Sequence, residues 1–152
     1  MPKSRRATLE KKLDDLWRRV GKESARCEVC ETLPSDEQFH YSKLDPHHIV
    51  GRSNRLLRWD LRNRIFLCPS HHTLGKLNAQ NNQGGWFWSK FTEKEDWLGK
   101  YRPEDKKYLE KMMTIPFKQW TIEQLEEKVK ELENYEVNDE YRDSIVRLSR
   151  SI

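Results

Sequence analysis

The sequence predicts a mixed α+β fold, in which a small core of two strands and one helix follows an N-terminal helix and precedes a mainly helical C-terminal extension. Apolar residues recur at helical spacing near the start and throughout the second half, whereas the middle has short apolar runs broken by Pro, Gly, Ser and Asn. Hydrophobic residues make up only 35% of the 152 residues and charged residues 36%, so this small core needs a second source of stability such as a metal ion.

The first element is an amphipathic helix over residues 8–20. Thr8 is a plausible N-cap, and Gly21 marks the end. Two short strands are then expected near residues 46–50 and 64–68, followed by a helix from about Pro69. We divide the chain into an N-terminal helix (1–23), a core (24–80), a helical extension packed on that core (81–135), and a C-terminal tail or short helix (136–152).

The second half should be helical beyond a polar joint at residues 78–85. Pro103 suits a first helical turn, and Thr121 with Gln124 fits a capping box that starts a helix reaching about residue 134. A last short helix is expected around Tyr141 to Leu148. We interpret the aromatic residues as core rather than as a stacking platform for bases, because large aromatic side chains dominate burial in small cores. They are Trp86, Phe87, Trp88, Phe91 and Trp97.

All three cysteines belong to two pairs with the spacing of a structural zinc site. Cys27 and Cys30 form a CxxC pair, and Cys68 with His71 forms a second pair some forty residues later. A gap of two residues lets a tight turn aim both side chains at one ion, and a Cys3His set is a known tetrahedral zinc site. The alternative is three buried thiols. The sequence therefore predicts structural Zn²⁺, which would add directly to the free energy of folding.

The zinc site leaves His47, His48 and His72 unused, which makes a second, catalytic site possible. On a helix His72 diverges from His71 by about 100° and so can face away from the zinc. His48 as a general base, with His47 and His72 as ligands of a divalent cation, would suit hydrolysis of a phosphate ester. Neighbours on a regular strand point to opposite faces, so both histidines serve one site only at an irregular strand start after Pro46. Otherwise His47 shares a face with Asp45.

The order Cys27-x2-Cys30, "DPHHIVG", Asn63 and "RIFLCPSHH" resembles the zinc-containing HNH nuclease motif with its ββα-metal fold. The resemblance implies that His48 is the general base, that Asn63 braces the loop and orients the base, and that His47 and His72 hold the catalytic ion. Asn54 is the other candidate for the central Asn, but the short gap before the cysteine pair selects Asn63. Asp45 stays a candidate ligand or orienting carboxylate.

A wider similarity, over about residues 24–134, is to the NinG/Rap recombination nucleases of phages. It rests on "RLLRWDLRNRIFLC" and on "RPEDKKYLEKM" with "WTIEQLEEKVKEL". These resemblances imply an endonuclease that hydrolyses DNA phosphodiesters, possible action on branched or recombination intermediates, and one catalytic cation. Mg²⁺ or Mn²⁺ is expected before Ni²⁺ or Zn²⁺. The alternatives are a sequence-tolerant nicking or packaging-associated HNH nuclease, and a non-catalytic zinc-stabilised DNA-binding or adaptor module.

DNA is the expected partner, bound through its backbone and shape. Residues 1–76 carry 16 Lys/Arg against 10 Asp/Glu, and this half contains five arginines that suit phosphate oxygens. They are Arg52, Arg55, Arg58, Arg62 and Arg64. Their alternative role is pairing with acidic residues of the helices. A homodimer, or a phage or host recombination protein, is a candidate partner. With neither a membrane span nor a secretory leader in sight, we expect a cytoplasmic protein, in the host cytoplasm if a phage encodes it.

Overall fold

The computed structural model describes residues 2–38, 44–72 and 91–137. The polar joint at 78–85, the aromatic residues Trp86 to Trp88 and the expected helix around Tyr141 to Leu148 lie outside these residues, as do the side chains of His72 and Phe91. The described chain combines helices with one small sheet, as a mixed α+β prediction requires.

The first helix, α1, spans Arg5–Arg19 and begins three residues earlier than predicted. Ser4 is its N-cap and accepts a hydrogen bond from the Ala7 amide at 3.2 Å, so the N-cap assigned to Thr8 is wrong. The end is as predicted: the chain leaves the helix at Gly21, whose φ of 74° lies in the left-handed region that glycine adopts without strain.

The sheet consists of β1 (Asp45–His48) and β2 (Arg64–Leu67), which pair antiparallel, and α2 (Pro69–His72) follows directly. Both strands lie where they were expected, but β1 ends before Ile49. The regular ladder stops there because the Asn63 amide donates to the Asp60 carbonyl at 3.0 Å, and the Val50 amide donates to the side-chain oxygen of Asn63 at 2.6 Å.

Three further helices follow: α3 (Phe91–Tyr101), α4 (Pro103–Met113) and α5 (Ile122–Val137). Pro103 occupies the first turn of α4, as predicted. The capping box is confirmed as well. The Thr121 amide donates to Oε1 of Gln124 at 2.9 Å, and the Gln124 amide donates to Oγ1 of Thr121 at 3.2 Å.

Two clusters of buried side chains hold these elements together. The first contains the three cysteines, the strand residues Ile65 and Leu67, and residues of α3 and α4, among them Trp97. The second joins α1 to α5 and includes Trp17 and Trp59. The C-terminal extension is therefore split, because α3 and α4 cover the cysteine region while α5 packs on the first helix. Arg102, between α3 and α4, donates to the Arg64 carbonyl of β2 at 2.8 Å.

Among the helices of the described residues, none has the length and apolar character needed to cross a membrane.

Candidate functional site

The two predicted metal-binding pairs come together in one buried cluster. The ligand atoms of Cys27, Cys30, Cys68 and His71 all lie within 4.8 Å of one another. The Sγ atoms of Cys30 and Cys68 are 3.8 Å apart, and Nδ1 of His71 lies 3.3 to 3.5 Å from the three sulfurs. Tetrahedral zinc with Zn–S of roughly 2.3 Å and Zn–N of roughly 2.0 Å requires about 3.8 Å between sulfurs and about 3.5 Å from sulfur to nitrogen. The cluster could thus bind a structural metal such as zinc.

Hydrogen bonds between Glu28 and Phe66, which are 38 residues apart, bring the two halves of this cluster together. Glu28, between the first two cysteines, receives the Phe66 amide on its carboxylate at 2.9 Å and gives its own amide to the Phe66 carbonyl at 3.0 Å. The CxxC turn is thereby attached beside β2. At the end of β2 the His71 amide donates to the Cys68 carbonyl at 3.1 Å, which places the second pair on one turn.

The protonation of the cysteines is linked to cation binding. A hydrogen bond with Cys68, together with burial, raises the pKa of the Cys27 thiol to about 12. A metal ion binds the thiolate, so it must displace this proton, and its affinity should fall as the pH falls.

His47 and His48 lie on a regular strand rather than at an irregular strand start. In the register His47 is opposite Ile65 and His48 is opposite Arg64. Successive side chains of such a strand point to opposite faces, so His47 shares a face with Asp45 and His48 with Pro46. The Nε2 atom of His47 is buried on its face. The structure does not bring the two histidines to one face.

His48 is held in place by residues outside its own strand. Its ring stacks on the indole of Trp17 from α1, with the centroids 3.9 Å apart and the planes at 7°. Its Nε2 lies 2.8 Å from the carbonyl oxygen of Arg58. A carbonyl can only accept, so Nε2 carries the hydrogen, and the neutral ring has its lone pair on Nδ1.

The electrostatic setting of His48 favours this neutral form. Burial lowers the pKa of His48 below its usual value of 6.5 and outweighs the opposing hydrogen bond to the Arg58 carbonyl. The positive charges of Arg52 and Arg58 act in the same direction as burial. At neutral pH the imidazole is therefore able to accept a proton.

Asn63 braces the loop that links the two strands. Its side chain is fully buried, and its Oδ1 accepts the Val50 amide at 2.6 Å. Its Nδ2 donates to the carbonyls of Val50 and Leu57, at 2.9 and 3.0 Å. The other candidate, Asn54, makes one side-chain bond, in which it accepts the Leu57 amide at 3.2 Å. The loop carrying the Arg58 carbonyl is thus fixed mainly through Asn63.

Replacing Asn63 with Ala should destabilise the protein by about 3 kcal/mol, because the Val50 amide and carbonyl lose the bonds from the Asn63 side chain and the Leu57 carbonyl keeps only the bond from the Asp60 amide. Urea unfolding followed by circular dichroism measures this loss. Asn54→Ala is the matched control and should cost about 1 kcal/mol or less. Equal losses from the two substitutions would contradict the bracing role of Asn63.

Asp14 of α1 was not identified from the sequence, yet it organises the same loop. Its carboxylate accepts hydrogen bonds from Nε and NH2 of Arg58, at 3.0 and 2.7 Å, and from Nε1 of Trp59 at 2.8 Å. Burial by itself would raise the pKa of Asp14, but the bonds from Arg58 and Trp59 and the nearby positive charges lower it below 3.8. The only local signal was its place beside the apolar stripe of α1.

Replacing Asp14 with Asn should lower the free energy of unfolding at pH 7 by about 2 kcal/mol, because the bonds to a charged group are lost. The folded pKa lies below the usual value of 3.8, so this stabilisation is present above that value and disappears as the pH falls through the folded pKa. The melting temperatures of wild type and variant should therefore converge below about pH 4. Asp15→Asn, at an exposed position of the same helix, should match wild type at pH 7.

The five arginines predicted to bind DNA have different surroundings. Arg58 is paired with Asp14, and Arg62 with Asp105 at 2.7 Å. Arg64 is only 8% exposed, donates to the Trp17 carbonyl, and has its pKa lowered by burial to about 10. Three members are exposed, namely Arg52, Arg55 and Arg62. Arg55 donates to the Lys118 carbonyl at 3.2 Å, and Arg52 lies 3.4 Å from Asp14.

Of the residues expected to hold a catalytic cation, His47 and Asp45 have side chains in the described part of the chain and His72 does not, so this ligand set stays a prediction. Among the described residues the Cys3His cluster is the single set of three or more converging His, Cys, Asp or Glu ligands. His47 and Asp45 lie on the strand face away from His48, and the side chain of His72 is outside the described residues.

Comparisons with protein-family models, with curated proteins and with solved structures found nothing that matches the chain.

Proposed function

We propose that this chain is a metal-dependent DNA endonuclease of the HNH type, which hydrolyses phosphodiester bonds. The observation that carries the proposal is the setting of His48. A half-buried neutral imidazole, oriented by the Arg58 carbonyl and by the ring of Trp17, has the form that a general base requires. The resemblance to the HNH motif assigns the same role to the same residue.

In the proposed reaction His48 takes a proton from the attacking water through Nδ1. Its Nε2–H continues to donate to the Arg58 carbonyl, and this hydrogen bond keeps the ring from turning as Nδ1 becomes protonated. The imidazolium then has a ready acceptor for its second N–H, and this stabilises the charge that develops. Asn63 contributes by holding the loop of that carbonyl in place, so we assign it a positioning role.

A divalent cation would polarise the scissile phosphate and stabilise the leaving 3′-oxygen. The HNH resemblance gives His47 and His72 as its ligands, with Asp45 as a further carboxylate. Because β1 is regular, His47 and Asp45 would hold this ion from the strand face opposite His48. Mg²⁺ and Mn²⁺ are the first cations to test, followed by Ni²⁺ and Zn²⁺.

The proposed substrate is DNA. In the most specific version of the proposal, this DNA is a branched recombination intermediate. That version rests on the similarity to the NinG/Rap nucleases, as do a phage origin and a recombination protein as partner. A junction cutter acts on two strands, so it would be expected to work as a homodimer. The less specific version is a sequence-tolerant nicking or packaging-associated nuclease.

The proposal is tested by incubating zinc-loaded protein with supercoiled plasmid, linear duplex and a four-way junction. Each substrate is tested with Mg²⁺, Mn²⁺ or Ni²⁺ and without an added cation. We expect cation-dependent products with a 5′-phosphate and a 3′-hydroxyl. Preferential cutting of the junction would support the recombination version, and equal cutting of all three would support the sequence-tolerant one.

A second candidate function is a zinc-stabilised DNA-binding or adaptor module that does not cut. It is favoured by one observation, namely that the structural Cys3His cluster is the single metal-binding group found among the described residues. Tight binding of DNA without cleavage in any cation would select this function and overturn the nuclease proposal.

A further inference from the structure

A cleft of about 230 Å³ is lined in part by the loop that orients His48. Three segments line it: the start of α1 with Arg6, the loop with Arg55 and Arg58, and the chain before α5 with Trp120. Arg58 connects the two places, because its main-chain oxygen meets His48 while its side chain lines the cleft. A ligand in the cleft would therefore lie next to the candidate active site.

Two guanidinium groups that line this cleft are hydrogen-bonded to neutral carbonyls. NH1 of Arg6 donates to the Trp120 carbonyl at 2.7 Å, and NH1 of Arg55 donates to the Lys118 carbonyl at 3.2 Å. Within the described residues neither group forms an ion pair, whereas Arg58 is neutralised by Asp14. A neutral carbonyl fixes a guanidinium without cancelling its charge, and most of the five N–H donors of each group stay available.

The cleft wall is built so that these two arginines are held near each other. Nε1 of Trp120 donates to the Arg55 carbonyl at 2.9 Å, so the residue that receives Arg6 also binds the backbone of Arg55. Fixed guanidinium groups lose little conformational freedom when they meet an anion, and their planar donors match phosphate oxygens. Glu10 is the one acidic residue that lines the cleft, so the site keeps a net positive charge.

We propose that this cleft binds a backbone phosphate of DNA next to the bond that is cut, with Arg6 and Arg55 as the phosphate ligands. The proposal rests on the proposed function for the identity of the nucleic acid. The cleft is smaller than the roughly 300–1,000 Å³ of pockets that enclose small molecules, so a segment of a strand lying across it fits better than a free ligand. Arg6 comes from α1, so the first helix is part of the DNA-binding surface.

The test is fluorescence anisotropy with a labelled duplex, at several salt concentrations and without Mg²⁺ or Mn²⁺. Arg6→Gln and Arg55→Gln should each weaken binding about fivefold to tenfold and reduce the slope of log K against log salt by about one. Arg18→Gln removes the same charge from an exposed position of α1 outside the cleft and should stay within about twofold of wild type.

The charge-keeping variants Arg6→Lys and Arg55→Lys should retain the wild-type salt slope, since each still neutralises one phosphate. Arg55 is exposed, so Arg55→Glu should fold normally and keeps the test decisive if the Arg6 variants fold poorly. The Arg55→Glu variant should bind DNA more weakly than Arg55→Gln. Affinities and slopes equal to those of Arg18→Gln would overturn the inference while leaving the nuclease proposal standing. If wild type binds DNA but never cuts it, weaker binding by Arg6→Gln and Arg55→Gln would support phosphate binding in the cleft and overturn the nuclease proposal. No binding by wild type would overturn both.

Discussion

Cys30→Ser is expected to abolish zinc binding and cooperative folding of the region around β1 and β2. Cys30 is only 6% exposed, and its sulfur lies 3.8 Å from that of Cys68 and 3.4 Å from Nδ1 of His71. A structural zinc ion adds roughly 10–16 kcal/mol of apparent binding energy, which is comparable to the whole stability of a domain of about 5–15 kcal/mol. Loss of one of four ligands should therefore be felt throughout the first buried cluster.

Zinc content measured by mass spectrometry and thermal unfolding followed by circular dichroism check this result. Wild type should contain one zinc per chain and the variant close to none. Val29→Ala is the matched control, because Val29 is buried in the same turn but offers no ligand. The control should keep its zinc and lose about 1–2 kcal/mol from the cavity. If Cys30→Ser had the zinc content and melting temperature of wild type, the Cys3His cluster would not stabilise this fold through a metal ion.

The features that sequence reasoning identified correctly are those that short spacing decides. The spacing within each pair placed Cys27 beside Cys30 and Cys68 beside His71, and the same spacing between Thr121 and Gln124 produced the capping box. Each pattern works through one turn of chain, so its geometry hardly depends on the rest of the molecule.

Two features that it missed differ in origin. The start of α1 at Arg5 has a local cause, the Ser4 N-cap, whereas the contacts of its first turn with Glu126 and with the Trp120 carbonyl are long-range. Asp14 is 44 residues from Arg58, its ion-pair partner. No local pattern contains such pairings.

The same limit applies to the run of arginines between the strands. Their density indicates a phosphate-binding surface, but whether a guanidinium stays available depends on where the carboxylates of the helices come to lie. Arg58 forms an ion pair with Asp14, and Arg62 forms one with Asp105. Arg64 is buried, whereas Arg55 is exposed and donates to a carbonyl. Sequence could predict the class of surface but not which members of the run form it.

His48→Ala should lower the rate of DNA cleavage by about 10²–10⁴, the usual contribution of a general base, and leave DNA affinity within about twofold of wild type. Plasmid nicking under single-turnover conditions measures the rate, and anisotropy measures the affinity. In wild type the rate should fall only below pH 6.5, because burial lowers the pKa of His48 beneath that value and the base must be neutral to act. This acid limb should be absent from the residual rate of the variant.

Chemical rescue distinguishes a base from a residue that merely supports the fold. His48→Ala leaves a flat slot between the Trp17 indole, on which the native ring stacks at 3.9 Å, and the Arg58 carbonyl at 2.8 Å. Added imidazole can enter this slot, donate to the same carbonyl and present its second nitrogen to water, so it should restore part of the cleavage rate in a saturable way. His48→Gln is the matched control: its side chain fills the slot, and imidazole should not restore its activity. Rescue of both variants, or full activity in either one without imidazole, would show that His48 is not the base.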